Sequence, residues 1–263
     1  WREKSDWLEI ELEPLTAQIL TLLHPNAERS SIFVGGFENA PVQANQFDLV
    51  ISNVPFGDYP VVDSSIQDKR LKASIHDYFL CKAIDVTVPG GLVAIITSRY
   101  TLDKKDSFVR RWVARHAELL AAIRLPENAF KENAGTQVVT DVLFLRKREH
   151  VLAEDALLPA WVDVVDMPLE NKDAETHSVP VNSYYAAHPE HALGRACLTR
   201  GMYAANEYTL KAETGANIAD MLAGTLLAVL PVGIVHPIAD QGSAPLGIQT
   251  HKHVIPGPDK TRP

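Results

Sequence analysis

One stretch constrains this chain more than any other. Phe47-Asp48-Leu49-Val50-Ile51-Ser52 is short, largely apolar and rich in branched side chains, and it stops abruptly at Asn53-Val54-Pro55-Phe56-Gly57. A run of that length, bounded by Pro and Gly, reads as a buried strand rather than a helix. Its end presents a polar amide, a rigid ring, an aromatic and a glycine together. In open α/β sheets, ligands bind in the crevice outside the carboxyl ends of the strands. Asn53, Val54, Pro55 and Phe56 are therefore candidate site residues.

The flanking sequence fits such a sheet. Strands are expected at 7–12, 31–34, 47–52, 92–97, 119–124 and 137–145, and helices from Pro14, at 75–86 and at 107–116. Pro14 stands in the favoured first turn of its helix. Leu15, Ile19, Leu22 and Leu23 mark that helix's apolar face, and His24-Pro25-Asn26 ends it. Pro89-Gly90-Gly91 is expected as a tight turn into strand 92–97. Strands alternating with helices imply βαβ units and a largely parallel sheet, with the two closing strands paired as an antiparallel edge. The polar loop from Gly57 to about Lys72 has the composition of a mobile, solvent-facing segment.

After Arg148 the pattern breaks. A strand at 161–165, a short helix and turn at 181–190 and an apolar helix at 218–230 are expected, then a poorly ordered tail from 231. The chain thus reads as a core over 1–148, an accessory region over 149–230 and the tail over 231–263.

Charge divides the same way. The 263 residues carry a net charge of −8, which argues against a generally basic nucleic-acid binder. Up to Arg148 there are 18 Lys+Arg against 19 Asp+Glu, and from Glu149 on 7 against 14. The first part can carry a local basic face, while the second is a poor surface for phosphates. Arg99, Lys104, Lys105, Arg110, Arg111 and Arg115 follow strand 92–97; they read either as a solvated helix face or as phosphate contacts, with Arg99, Lys104 and Lys105 the phosphate-facing candidates. Cys81 and Cys197 are too far apart to form a disulfide framework or zinc pattern, and a reducing cytoplasm is the default. His188 and His191 have His-x-x-His spacing without a third ligand type nearby, so they read as a helix-terminal turn and no metal is expected.

Asn53-Val54-Pro55-Phe56 has a chemistry of its own. An exocyclic aromatic amine is a weak nucleophile because its lone pair is delocalised into the ring. Two acceptors around its hydrogens, the Asn53 side-chain oxygen and the Val54 carbonyl, would draw it toward an sp3 lone pair. Pro55 fixes the backbone that aims them, and Phe56 offers a stacking face to a base taken out of a duplex.

These four residues resemble the Asn-Pro-Pro-Phe/Tyr signature of the S-adenosylmethionine-dependent amino-methyltransferases, chiefly the DNA adenine-N6 enzymes, with Val54 in place of the usual first Pro. Glu11-Leu12-Glu13-Pro14 resembles the strand end whose carboxylate binds the cofactor ribose. The resemblance assigns that role to Glu11, with Glu13 second. Gly36-Phe37-Glu38 resembles the family's Gly-Asp-Phe, which places Phe37 and Glu38 beside the cofactor's adenine. Phe130, with Ala134-Gly135-Thr136, resembles the loop whose aromatic stacks on the target base.

Asn53-Val54-Pro55-Phe56-Gly57, His76-Asp77-Tyr78-Phe79, Tyr184-Tyr185 and His188-Pro189-Glu190 together are similar to the large helicase-linked adenine methylases of phages and plasmids, over roughly residues 7–230. That resemblance implies a Rossmann-like α/β methyltransferase sheet with helices on both faces, plus a small irregular carboxyl-terminal region. It also implies S-adenosylmethionine as cofactor, DNA as substrate, a helicase domain in the parent protein, and a bacterial cytoplasm with phage or plasmid origin. The family's Gly-rich first motif and central strand would precede Trp7, so the chain is expected to lack that strand and to bind cofactor weakly. RNA guanine or protein glutamine as methyl acceptor, or a non-catalytic DNA-positioning module, are the alternatives.

Overall fold

The computed structural model describes residues 6–23, 30–57, 59–130, 138–200 and 206–230. The expected helix end at 24–26, the Ala134-Gly135-Thr136 part of the base-side loop and the tail over 231–263 lie outside them. The chain forms two compact units whose boundary falls between Ala40 and Pro41.

In the first unit, β1 (Trp7–Glu11) and β2 (Ser30–Val34) pair in parallel, Trp7 opposite Ser30 and Glu11 opposite Val34, joined by α1 (Pro14–Leu23). The helix face expected to turn inward does not: Leu15, Ile19, Leu22 and Leu23 are 48–83 % exposed, and within α1 only Ala17 is buried. Two strands are too narrow a surface to cover a helix face.

The second unit holds a four-stranded mixed sheet in the order β3-β4-β6-β5: β3 (Phe47–Asn53), β4 (Thr87–Ser98), β5 (Ala117–Leu125) and β6 (Thr140–Lys147). β3 and β4 are parallel, while β6 runs antiparallel to both neighbours. β3, β4 and β5 therefore end on one edge, and Asn53 and Ser98 share it. The antiparallel closing pair was expected; the insertion of β6 between β4 and β5 was not.

Helices connect and cover this sheet. Ser74 caps α2 (Ile75–Val86) by accepting from the Asp77 N–H at 3.2 Å, the Ser-x-x-acid pattern of a helix start. The chain passes from α2 directly into β4. Pro89-Gly90-Gly91 is thus not a turn before the strand but a bulge within it: Phe47 faces Thr87, yet Leu49 faces Leu92. Gly90 supplies φ +78° there, and a Cβ on Gly91 would stand 2.9 Å from the Asp48 carbonyl oxygen.

The pleat sorts the core into two faces. Val93, Ile95, Ala122, Leu143 and Leu145 point to one side, where Leu80, Ile84, Val109 and Val113 of α2 and α4 (Phe108–His116) meet them. Ile96, Ile123, Val142 and Phe144 point to the other, where α6 (Ile218–Val229) lays Ile218, Met221, Leu222 and Leu226. Helices cover both faces, as the resemblance implied.

Residues after Arg148 are more ordered than the sequence pattern implied. β7 (Val164–Glu170) and β8 (Thr176–Asn182) form one hairpin-like pair, and β9 (Arg195–Thr199) and β10 (Glu207–Lys211) another, with α5 (Ser183–Ala187) between them. Trp161, expected in a strand, sits in a 3-10 turn over Ala160–Val162. Trp161, Val162, Val181, Tyr185, Tyr208 and Leu210 join the same apolar cluster as the sheet, so no separate core begins at residue 149.

A buried charge cluster makes that junction. Arg124, 0 % exposed, donates to both Asp141 carboxylate oxygens at 2.8 and 2.9 Å and to both Asp103 oxygens at 2.8 and 2.9 Å. Asp103, in α3 (Tyr100–Asp103), also accepts the Asn182 N–H at 2.9 Å. Tyr185 lies under the guanidinium at 4.2 Å. Complete burial pushes the Asp141 carboxyl up, with Arg124 opposing the shift, and the two ion pairs hold Arg124 well above its ordinary range against its own burial. Removing one partner of such a cluster strands the others. Arg124→Ala is expected to lose about 3–5 kcal/mol of unfolding free energy, read by urea denaturation at neutral pH. Part of that loss should be recovered on acidification, as the orphaned carboxyls take up protons.

Candidate active site

Alternation along β3 decides what its end shows to solvent. Val54 is 1 % exposed and its N–H donates to the Ile96 carbonyl at 3.0 Å, so this residue anchors the turn. Asn53 and Pro55 are exposed, and Phe56 is 44 % exposed. The Phe56 ring meets His76 edge to face, with centroids 5.7 Å apart. His76, in the first turn of α2, places Nδ1 3.0 Å from Thr97 Oγ1, itself 2.8 Å from Thr101 Oγ1. The carboxyl ends of β3 and β4 and the amino end of α2 thus converge on one exposed aromatic. His76 entered the sequence reading only as part of a resembling block; its contact with Phe56 is a tertiary fact.

The loop after the motif is not the free segment that its composition implied. Asp63, 4 % exposed, accepts from the Ser65 N–H at 2.7 Å, from Ser65 Oγ at 2.6 Å and from Tyr78 Oη at 2.8 Å, and it pairs with Lys82 at 3.1 Å. Tyr78 and Lys82 belong to α2, so the loop is tied to the helix that carries His76. Lys72 adds a bond to the Ile66 carbonyl at 2.7 Å.

The expected phosphate-facing cations divide. Arg99 is 8 % exposed, pairs with Asp103 at 3.3 Å and stacks on Tyr100 at 4.1 Å. Lys104 bonds Asp77 at 2.6 Å. Lys105 is exposed. Further along the run, Arg110 is buried and donates to the Val162 carbonyl at 2.8 Å, and Arg111 pairs with Asp163 at 3.1 Å. Arg110, and Arg99 with the Tyr208 ring 5.1 Å from its guanidinium, therefore serve the junction with the later residues rather than a solvent-facing surface.

The cofactor candidates all lie in the first unit, at the carboxyl ends of its two strands. Glu11 ends β1, and its Oε1 accepts the Glu13 N–H at 2.8 Å. Phe37 and Glu38 open the 3-10 turn after β2. Glu38 Oε1 accepts from Asn39 Nδ2 at 2.9 Å, and its carboxylate folds over Gly36, where a Cβ would stand 2.1 Å away. Any side chain at 36 would push that acid aside. Phe130 is half-buried against Ile123, Leu125, Val142 and Leu193, on the face covered by α6.

The profile of the N-6 DNA Methylase family matches residues 16–176, more than half of the chain, and the chain belongs to that family. Among curated proteins it is similar to the Defense against restriction protein B of Escherichia phage P1, 31 % identical over 147 residues. The match takes in 55 % of this chain, and the chain spans only 6 % of that relative. Two solved structures share part of the outline. A class I S-adenosylmethionine-dependent methyltransferase from Listeria monocytogenes has TM-score 0.46 at 20 % identity, over 59 % of this chain and 47 % of that one. The M protein of the type I restriction enzyme EcoKI has TM-score 0.44 at 16 % identity, over 85 % of this chain and 58 % of that one.

Burial opposes ionisation of Asp63, but bonds from Ser65, Tyr78 and Lys82 outweigh it and bring its pKa down from 3.8 to about 2. A carboxyl held lower in the folded state stabilises above its unfolded value, and that stability is lost as pH falls toward the folded value. The difference corresponds to about 2 kcal/mol, lost between about pH 4 and 2. Asp63→Asn is expected to flatten this part of the stability profile, measured by denaturation across acidic buffers.

Proposed function

We propose that this chain carries the base-side half, and the adenosine-binding part of the cofactor side, of an enzyme that transfers a methyl group from S-adenosylmethionine to the N6 amine of adenine in DNA. The observation that carries the reading is the motif's geometry. Asn53 and Phe56 are exposed together at the end of β3, on a turn pinned by the buried Val54. Family membership supports it.

Each residue has a defined task. Asn53, through its side-chain oxygen, and Val54, through its carbonyl, accept the two amine hydrogens and restore nucleophilic character to the nitrogen. Pro55 holds the turn. Phe56 stacks on the extruded base, which compensates for lost stacking in the duplex. No general base is required, because the proton leaves after transfer, toward Asn53 and water. Lys105, with Lys104 beside it, is the cation placed to meet a phosphate. Phe130 is the candidate for a second stacking contact.

The residues of the first unit suit the adenosine part of the cofactor. Adjacent acids at the end of β1 provide acceptors for the two ribose hydroxyls, from Glu11 and Glu13. Phe37 is half-buried and offers a ring to the flat adenine, and Glu38, whose carboxylate accepts from the Asn39 amide, is the acceptor for the adenine amine. When bound, S-adenosylmethionine supplies an electrophilic methyl on sulfonium, so the chain needs neither metal nor covalent intermediate for this step. A helicase domain in the parent protein and a phage or plasmid origin follow from the resemblance and are part of the same proposal.

The test uses the parent protein with labelled S-adenosylmethionine and unmethylated duplex DNA. Label is expected in N6-methyladenine, and Asn53→Ala is expected to reduce it by at least about 100-fold. Glu11→Ala should instead weaken cofactor binding in calorimetry. Label found in RNA or protein but not in DNA would transfer the mechanism to another acceptor. A parent protein that labels none of the three would leave the DNA-positioning module as the reading.

A further inference from the structure

His188, Glu190 and His191 were read from sequence as a turn. The structure adds that their side chains converge. Glu190 Oε1 lies 3.4 Å from His188 Nδ1 and 3.6 Å from His191 Nε2, and the three donor atoms all fall within 4.8 Å of one another. The third ligand type missing from the sequence reading is the carboxylate between the two histidines.

Those separations carry a chemical meaning. They are longer than the 2.7–3.2 Å or so of ordinary N–H···O bonds. The two Glu190 contacts are close to the roughly 3.3–3.4 Å between donors that surround a tetrahedral ion at about 2.0–2.1 Å. Glu190 is thus flanked by two imidazole nitrogens, and each imidazole, as the neutral tautomer with its lone pair inward, can join the carboxylate in holding a shared cation.

The surroundings hold the donors in place. The imidazoles stack nearly parallel, 9° apart with centroids at 5.0 Å. Tyr184 Oη sits 2.9 Å from His191 Nδ1 and accepts the Ala122 N–H at 3.1 Å. With Nδ1–H donating to that hydroxyl oxygen, the Nε2 lone pair is turned toward Glu190, the outer contact typical of a ligating histidine. The backbone is fixed as well: the Leu193 N–H donates to the Arg124 carbonyl at 2.9 Å, and Ala192 forms a parallel bridge with Arg124.

We infer that His188, Glu190 and His191 form a binding site for one divalent cation of the zinc, cobalt or nickel class. His191 is 9 % exposed at its side chain, whereas His188 and Glu190 are 47 % and 64 % exposed, so a fourth position faces solvent. The cation would lock the turn over Pro189–His191, which the Leu193–Arg124 bond already ties to β5. This inference stands independently of methyl transfer.

The experiment titrates the whole chain with zinc chloride by calorimetry, and with cobalt(II) by visible absorption, in a background in which His251 and His253 are both changed to Ala. Those two histidines lie outside the described residues and would otherwise compete. One equivalent of zinc at micromolar affinity, tetrahedral cobalt bands and a higher melting temperature with zinc are expected. Glu190→Gln and His188→Ala alter exposed side chains and should keep the fold, checked by circular dichroism. Each should weaken binding at least about tenfold, and Tyr184→Phe should weaken it by a smaller factor. No stoichiometric binding, or binding unchanged in Glu190→Gln and His188→Ala, would overturn the site.

Discussion

The guanidinium of Arg124 is the point on which the second unit depends. It neutralises two fully buried carboxylates at once, one on β6 and one on α3, and Asn182 adds a third attachment from β8. A buried charge is tolerated only when paired and hydrogen-bonded, so these elements cannot separate without exposing an expensive group. The cluster lies next to the end of β4 and fixes the direction in which the chain leaves that strand. The later residues are thereby part of the same core as the sheet.

On this frame the Asn53–Phe56 turn is held by two devices of different reach. One is local: the pleat alternates Val54 inward and its neighbours outward, and the Ile96 carbonyl secures the Val54 N–H. The other is tertiary: α2 brings His76 against Phe56 and, through Tyr78 and Lys82, draws Asp63 and its loop onto the same helix. One helix thus supports both the exposed aromatic and the segment that follows it. Rigid backing of an exposed side chain limits the entropy lost when it engages a ligand.

The charged residues after β4 show how composition misleads. Six cations in a short span look like a basic face, yet Arg99, Lys104, Arg110 and Arg111 each bond a carboxylate or carbonyl of the protein itself. Asp103 stands four residues after Arg99, but the partners of Lys104, Arg110 and Arg111 are far off in sequence, at Asp77, Val162 and Asp163, which no local pattern reveals. The same holds at His188 and His191. Spacing alone gives two ligands, whereas the turn over Pro189–His191 rotates the Glu190 carboxylate between them.

The sequence by itself determined the strand and its abrupt end at Asn53, the exact span of α2, the alternation that makes a sheet with helices on both faces, and the family to which the motif points. All of these follow from side-chain period, caps and Pro or Gly punctuation, which act within a few residues. Only the tertiary structure decided that Pro89-Gly90-Gly91 is a bulge and that β6 lies between β4 and β5. It also decided that α1 leaves its leucines exposed, that Asp63 pins its loop, and that the region after Arg148 shares the main core. Those outcomes depend on which distant groups meet. Burial makes the meetings obligatory, because an unpaired Arg124, Asp63 or Asp103 inside the protein would cost more than the ordering needed to pair it.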